Sequence, residues 1–100
     1  MMLPIVMEYN AECTGEKFRE IARVMGVQGV DSMSQEEYRK AAVDAVRKLS
    51  SDVGIPAKLS AIREEDLQFL AESAYADACR PGNPKDTSVE DLKELFRKIM

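Results

Sequence analysis

The residues of this 100-residue chain that could do chemistry are two cysteines and a run of three acids. Cys13 and Cys79 lie far apart and form no C-x-x-C pair, so we interpret them as two reduced thiols. Glu64, Glu65 and Asp66 could hold a divalent cation. Three consecutive acids are also typical of the first turn of a helix, where negative charge stabilises the helix dipole. We favour this second interpretation, and it leaves the chain without a metal site.

Histidine is absent from the sequence. This removes the commonest protein ligand of metals and the commonest general base near neutral pH. The sequence also lacks a P-loop, a G-x-G-x-x-G turn and an H-E-x-x-H helix, and its five glycines stand apart. The sequence therefore predicts no catalytic, no cofactor-binding and no metal-ligating residue within this chain.

The composition is 45% apolar and 32% charged, which is typical of a globular domain. Fourteen basic and 18 acidic residues give a net charge of −4, which argues against a nucleic-acid partner. A helix-turn-helix around "VGIPAKLSAI" would bring three acids to the phosphates, so DNA binding is disfavoured. No run of apolar residues reaches the roughly 18 that span a membrane, and "MMLPIVMEYN" has no signal-peptide features. We expect a cytoplasmic protein without a membrane partner.

Apolar residues recur at helical spacing along the whole chain. This pattern predicts an all-α fold, a bundle of about five amphipathic helices, in a single helical domain over residues 1–100. The predicted inner residues are Met2, Leu3, Val6 and Met7 in the first helix, Phe18, Ile21, Ala22 and Met25 in the second, Tyr38, Ala42, Ala45, Leu49 and Val53 in the third, Leu67, Leu70, Ala71, Ala74 and Ala78 in the fourth, and Val89, Leu92, Phe96 and Ile99 in the fifth.

Capping residues predict where these helices begin and end. The predicted N-caps are Thr14, Ser34 together with Glu37, and either Thr87 with Glu90 or Ser88 with Asp91, while Gly26 and Gly54 are predicted to end the second and third helices.

The stretch "CRPGNPKDTSVEDL" at residues 79–92 is a stiff polar turn between two apolar helices. Pro81 and Pro84 stop one helix, and Asn83 is biased towards extended backbone because a proline follows it. Such a turn can be a plain connector or can line a cleft. Cys79, predicted at the negative end of a helix, is a poor nucleophile there. It is either a packed thiol or a residue that lines a cleft.

Five stretches, in order, resemble one family of enzymes. They are "MLPIVMEYNAE", "TGEKFREIARVMGV", "VGIPAKL", "EEDLQFLAESAYADAC" and "GNPKDTSVEDLKELFRKIM". Together they cover almost the whole chain and resemble the C-terminal part of the helical domain of iron-containing (group III) alcohol dehydrogenases, such as lactaldehyde and 1,3-propanediol dehydrogenases. Lys85 departs from this pattern, which usually has arginine after the Asn-Pro pair.

The resemblance implies a fragment of a larger dehydroquinate-synthase-like helical domain. It implies a parent enzyme that uses Fe(II), held by one Asp and three His, and NAD(P), bound by an N-terminal α/β domain. These ligands would all precede the matched region, so we expect the isolated chain to be catalytically inactive. The resemblance also implies that Cys79, Asn83 and Pro84 lie in the wall of the parent's substrate cleft.

Two expectations concern partners. The apolar start of the chain, with Met2, Leu3, Val6 and Met7, suggests a cut through an element, and we expect self-association through this segment and contact with the rest of the parent dehydrogenase. The alternative is a free-standing acidic helical module that binds a partner protein. The reading frame upstream of Met1 distinguishes the two, because only the first requires histidine-bearing helices there.

Overall fold

The computed structural model describes residues 1–100 and contains five α-helices and no β-strand. The helices are α1 (Met2–Asn10), α2 (Lys17–Val24), α3 (Gln35–Asp52), α4 (Leu67–Tyr75) and α5 (Val89–Arg97). Short 3₁₀ turns occupy Ala11–Cys13, Val30–Ser32, Glu64–Asp66 and Arg80–Gly82. None of the helices combines the length and the apolar character that crossing a bilayer requires. The predicted all-α bundle of about five helices is confirmed.

The chain folds as two helical hairpins, α2 with α3 and α4 with α5, and α1 packs between them. Successive residues of a helix point about 100° apart, so Ile5 and Met7 of α1 face different sides. Met7 belongs to one buried cluster, and Ile5 packs with Leu95 and Ile99 in the other. The members of the larger cluster are Met7, Phe18, Ala22, Val30, Tyr38, Ala42, Val43 and Val46. Helix α1 is therefore the element that both hairpins share.

The inner face predicted for α3 is wrong over its last two turns. Leu49 and Val53 are 51% and 62% exposed, while Val43 and Val46 are buried in their place. The physical reason is helix length: α3 has 18 residues and its partner α2 has eight. At about 1.5 Å per residue α3 is longer than α2, so the hairpin leaves Leu49 uncovered near the end of α3, and Val53 lies just beyond the helix. On α2 itself, Ile21 is also exposed at the edge of the hairpin.

Three further residues differ from the predicted inner faces. Leu3 is 61% exposed, whereas Pro4 and Ile5 are buried, because α1 packs between two hairpins rather than along one. Ala78 is exposed because α4 ends at Tyr75. Leu95, which the predicted face of α5 omits, is only 4% exposed because it packs on α1.

Most of the predicted helix boundaries are confirmed. The hydroxyl of Ser34 accepts a hydrogen bond from the backbone N–H of Glu37 at 3.3 Å, so it caps α3. Gly26 and Gly54 have φ values of 88° and 83° after α2 and α3. A side chain would strain this left-handed backbone, which is why glycine ends both helices.

Thr14 is not the N-cap of α2, contrary to the sequence-based prediction. Helix α2 begins three residues later, at Lys17, and Thr14 closes the 3₁₀ turn Ala11–Cys13. Its hydroxyl donates to the carbonyl oxygen of Ala11 at 2.7 Å, and no backbone N–H of α2 donates to it. The side chain of Thr14 therefore stabilises the local turn before α2 instead of capping α2.

An ion pair fastens α1 to α3. Arg47 Nη1 lies 2.6 Å from Glu8 Oε1, and each side chain is a little under half exposed. The hydrogen bond from Arg47 is the main cause that lowers the pKa of the Glu8 carboxyl, while partial burial opposes it. The folded chain therefore binds the Glu8 proton less tightly than the unfolded chain. This contribution to stability is present above the unfolded pKa and is lost as the pH falls through the folded pKa.

We predict that Arg47→Gln lowers the free energy of unfolding at neutral pH by about 0.5 kcal/mol, as expected of a solvent-exposed pair. The difference from the wild type should shrink as the pH falls and Glu8 becomes protonated. Urea unfolding at pH 7 and at pH 3 measures both values. Arg63→Gln is the control, because Arg63 pairs only with Glu65 two residues away. An Arg47→Gln deficit that is equal at both pH values contradicts the assignment.

Candidate functional site

Cys79, Asn83 and Pro84 line one cavity of about 550 Å³. The opposite walls of this cavity come from α1, with Val6 and Tyr9, and from α5, with Leu92 and Leu95. The structure thus brings together the three residues that the resemblance placed in a cleft wall. That the cavity receives a substrate is still a prediction at this point.

The loop that presents these three residues is held by its own backbone. The N–H of Gly82 donates to the carbonyl of Cys79 at 3.1 Å, and the N–H of Asn83 donates to the carbonyl of Arg80 at 2.9 Å. Asn83 has φ −68° and ψ 135°, the extended conformation that a following proline favours. Cys79, Asn83 and Pro84 therefore form a single stiff unit.

A reciprocal pair of side-chain amides fixes this loop to the end of α1. Asn10 Nδ2 donates to Asn83 Oδ1 at 2.8 Å, and Asn83 Nδ2 donates to Asn10 Oδ1 at 2.8 Å. The second proton of Asn83 Nδ2 goes to the carbonyl of Lys85 at 2.6 Å. Asn10 is only 8% exposed, so this pair satisfies an amide that would otherwise be buried without partners.

A second set of contacts ties α1 to the same loop. The hydroxyl of Tyr9 donates to the carbonyl of Asp86 at 2.7 Å and lies 3.2 Å from Asp91 Oδ2. Burial, followed by the neighbouring Asp91 carboxylate, raises the pKa of Tyr9, so the phenol stays protonated at neutral pH. Lys85 Nζ lies 2.6 Å from Glu12 and 4.4 Å from the centre of the Tyr9 ring. The half of the loop that leads into α5 is therefore anchored to α1 and to the 3₁₀ turn after it.

Cys79 is not a packed thiol. It is exposed and lies four residues after the last residue of α4, Tyr75, rather than at the helix end. Its backbone N–H donates to Asp77 Oδ1 at 2.8 Å. Of the two alternatives for this cysteine, the structure supports the one in which it lines an open cavity.

Thr87 brings an unpaired hydroxyl to the cavity wall. Of the two predicted caps of α5, Ser88 with Asp91 is the one that forms: Asp91 N–H donates to Ser88 Oγ at 3.1 Å, and Ser88 N–H donates to Asp91 Oδ2 at 3.0 Å. Thr87 Oγ1 is buried and has no hydrogen-bond partner. The capping box thus forms on the serine, and Thr87 lines the cavity while its own hydroxyl is buried and unpaired.

The three acids that could suggest a metal site are used separately. Glu64 lies 2.8 Å from Arg97 Nη2, and Asp66 Oδ2 accepts the backbone N–H of Arg63 at 3.0 Å. They form a 3₁₀ turn directly before α4, which is close to the helix start that the sequence predicted. No group of three or more His, Cys, Asp or Glu side chains anywhere in the structure is arranged to hold a metal ion.

Asn10 and Tyr9 are the site residues that sequence reasoning missed. The only signal for Asn10 is that it lies three residues after Met7, on the buried side of an amphipathic helix. A polar residue at such a position needs a partner. The identity of that partner, 73 residues away, has no signature in the local sequence.

Comparisons with known proteins identify related chains. A family model described as "Fe-containing alcohol dehydrogenase family, C-terminal" matches residues 1–100. Lactaldehyde reductase of Escherichia coli (strain K12) is 53% identical over 96% of this chain. 1,3-propanediol dehydrogenase of Citrobacter freundii is 34% identical over 98% of it. The crystal structure of a 1,3-propanediol oxidoreductase superposes on 99% of this chain with a TM-score of 0.92 and 32% identity.

These relatives are about four times as long as this chain. The match covers 25% of the lactaldehyde reductase, 26% of the Citrobacter dehydrogenase and 26% of the crystallised oxidoreductase. The match therefore extends over almost all of this chain and over about one quarter of each relative.

We predict different effects on stability at two adjacent residues, Thr87 in the cavity wall and Ser88 at the start of α5. Ser88→Ala should lower the free energy of unfolding by about 1 kcal/mol, because it removes the cap of α5. Thr87→Val should be neutral or raise it by up to about 1 kcal/mol, because it removes a buried hydroxyl that has no partner. Urea unfolding of the two variants tests this, each serving as the control for the other. The assignment is wrong if Thr87→Val is the more damaging change.

Proposed function

We infer the function of this protein from the premise that the chain belongs to the Fe-containing alcohol dehydrogenase family, whose C-terminal model spans residues 1–100. We propose that it is the C-terminal helical part of an oxidoreductase that interconverts alcohols and aldehydes. The identity of 53% to a lactaldehyde reductase supports this proposal and favours a short, polar alcohol or aldehyde as substrate.

The role that we propose for this chain is to build one wall of the substrate cleft. The observation that carries it is the cavity of about 550 Å³, into which the stiff loop brings Cys79, Asn83 and Pro84. Sites for small molecules are typically concave and mostly apolar, with a few placed polar groups. Val6, Leu92 and the loop residues supply that combination. Specificity for the size of the substrate would therefore depend on this wall.

The iron and the dinucleotide of the parent enzyme do not fit the residues of this chain. Iron(II) sites in such a family need His and carboxylate donors, yet the sequence contains no histidine and the structure gathers no three donors in one place. The glycines also form no phosphate cradle. We propose that Fe(II) and NAD(P) are bound by the part of the parent enzyme that corresponds to the unmatched three quarters of its relatives. The residues of this chain then take no direct part in the catalytic step.

A cytoplasmic location belongs to the same proposal. Cys13 and Cys79 are both unpaired and exposed, as is usual where thiols are kept reduced. The rival interpretation, an acidic helical interaction module, gains no support, because the family match accounts for every residue of the chain.

A chimaera tests the proposed function. Residues of this chain replace the matching segment of E. coli lactaldehyde reductase, and reduction of lactaldehyde is followed with NADH and iron. We predict that the chimaera turns over lactaldehyde and that the 100-residue chain alone does not, because it lacks iron ligands. A folded, iron-loaded chimaera without turnover contradicts the proposal, as does turnover by the chain alone.

Within that chimaera, a bulky residue at the cavity should obstruct the substrate. Cys79→Phe should raise the KM for lactaldehyde at least about tenfold, since it fills space that the substrate needs. Cys13→Phe is the matched control, because Cys13 is equally exposed but does not line the cavity. Equal KM values for the two variants would remove Cys79 from the cleft wall.

We also propose that the chain self-associates through its N-terminal segment. Only part of this segment is exposed and could contact a second copy. Met7 is buried and Met2 and Val6 are half-buried, so Leu3, at 61% exposed, is the apolar side chain of α1 that a second copy would cover.

We predict that the wild-type chain dimerises and that the Leu3→Gln variant is more monomeric at the same concentration. Light scattering coupled to gel filtration, over a range of concentrations, measures the mass. Val24→Gln is the control, because Val24 on α2 is even more exposed, at 84%, but lies outside the N-terminal segment. A wild-type chain that stays monomeric, or an equal shift in both variants, rules this surface out.

A further inference from the structure

We propose that Asn10 is a positioning residue for the substrate cleft and acts through Asn83. This inference rests on the proposed function, since it assumes that the cavity beside the loop receives the substrate. Asn10 itself does not line that cavity, whereas Asn83 does. The effect of Asn10 on the cavity would pass through the reciprocal amide pair that joins α1 to the loop.

The amide of Asn83 has one orientation that keeps all three of its hydrogen bonds. Asn83 Nδ2 has two protons, and the carbonyl of Lys85 takes one of them at 2.6 Å. A carbonyl can only accept, so the amide of Asn83 cannot be turned over without losing that bond. Its other proton and its Oδ1 are then both presented to Asn10. Only a side chain that donates and accepts side by side completes this arrangement.

Burial makes the pair costly to break. Asn10 is 8% exposed, and Asn83 is half-buried beside it. An apolar substitute at residue 10 would leave the amide of Asn83 short of one donor and one acceptor, and water reaches this position poorly. The loop would have to move for Asn83 to find new partners.

A movement of Asn83 is transmitted to the rest of the wall. Pro84 is bonded to it directly, and Cys79 is joined to it by the two hydrogen bonds of the turn Arg80–Gly82. Because these three residues form a stiff unit, a tilt at Asn83 changes the width of the cavity at Cys79. The residues that would react with substrate lie outside this chain, so such a tilt affects how well substrate fits rather than the reaction itself.

The test compares Asn10→Leu with Thr14→Val in the lactaldehyde reductase chimaera. These are matched changes: Asn10 and Thr14 are both 8% exposed, and each is replaced by an apolar residue of similar size. The hydroxyl of Thr14 bonds only locally, to the carbonyl of Ala11 at 2.7 Å, and makes no hydrogen bond to the loop. Asn10→Leu should raise the KM for lactaldehyde about tenfold with kcat within about twofold of the parent chimaera.

A purely structural role predicts a different pattern. A variant that merely unfolds part of the sample lowers the concentration of active enzyme, which reduces the apparent kcat and leaves KM unchanged. Thr14→Val should show at most this pattern. An unchanged KM in Asn10→Leu, or an equal rise of KM in Thr14→Val, would overturn the inference.

A double-variant cycle shows whether Asn10 acts through Asn83. If it does, the KM of Asn10→Leu with Asn83→Leu should not exceed that of Asn83→Leu alone, because the connection is already broken. Multiplying effects would mean that the two residues act independently, which contradicts the inference. A chimaera with native residues that has no turnover refutes the proposed function itself, whereas an active chimaera that is insensitive to Asn10→Leu refutes only the positioning role.

Discussion

Two side-chain amides that face each other across 73 residues of sequence join two distant segments of this fold. One belongs to the last residue of α1 and the other to the stiff loop between α4 and α5. Each amide supplies the hydrogen-bond partners that the other needs, so separating α1 from the loop would leave polar groups unpaired. This contact helps to fix the cavity wall, together with those of Tyr9 and Lys85, because Pro84 is bonded to Asn83 and a hydrogen-bonded turn links Cys79 to it.

Helix α1 can make this contact because it is shared by both hairpins. Met7 anchors it in the cluster of α2 and α3, while Ile5 anchors it against α5. The ion pair between Glu8 and Arg47 adds a third, weaker attachment on the surface. Apolar packing on two sides fixes the axis of α1. Tyr9 and Asn10, at the end of the helix, therefore lie within hydrogen-bond distance of the loop. The apolar clusters thus determine where α1 lies, and the polar contacts at its end depend on that position.

Local chemistry made much of this structure predictable. The five helices follow from apolar periodicity, and Ser34, Ser88 and Gly54 mark real boundaries because a cap depends on only a few neighbouring residues. Leu49 and Val53 were assigned wrongly because their burial depends on the length of another helix. Asn10 escaped notice because its partner is set by tertiary packing. The cavity residues Cys79, Asn83 and Pro84 came from resemblance to a family rather than from periodicity.

NMR of the ¹⁵N-labelled chain can observe the contact between Asn10 and Asn83 directly. Both side-chain NH₂ groups should give slowly exchanging signals, with a nuclear Overhauser cross-peak between them, because each donates to the other within the fold. Two rapidly exchanging signals without a cross-peak would show that the loop is not held by α1 and would contradict the account.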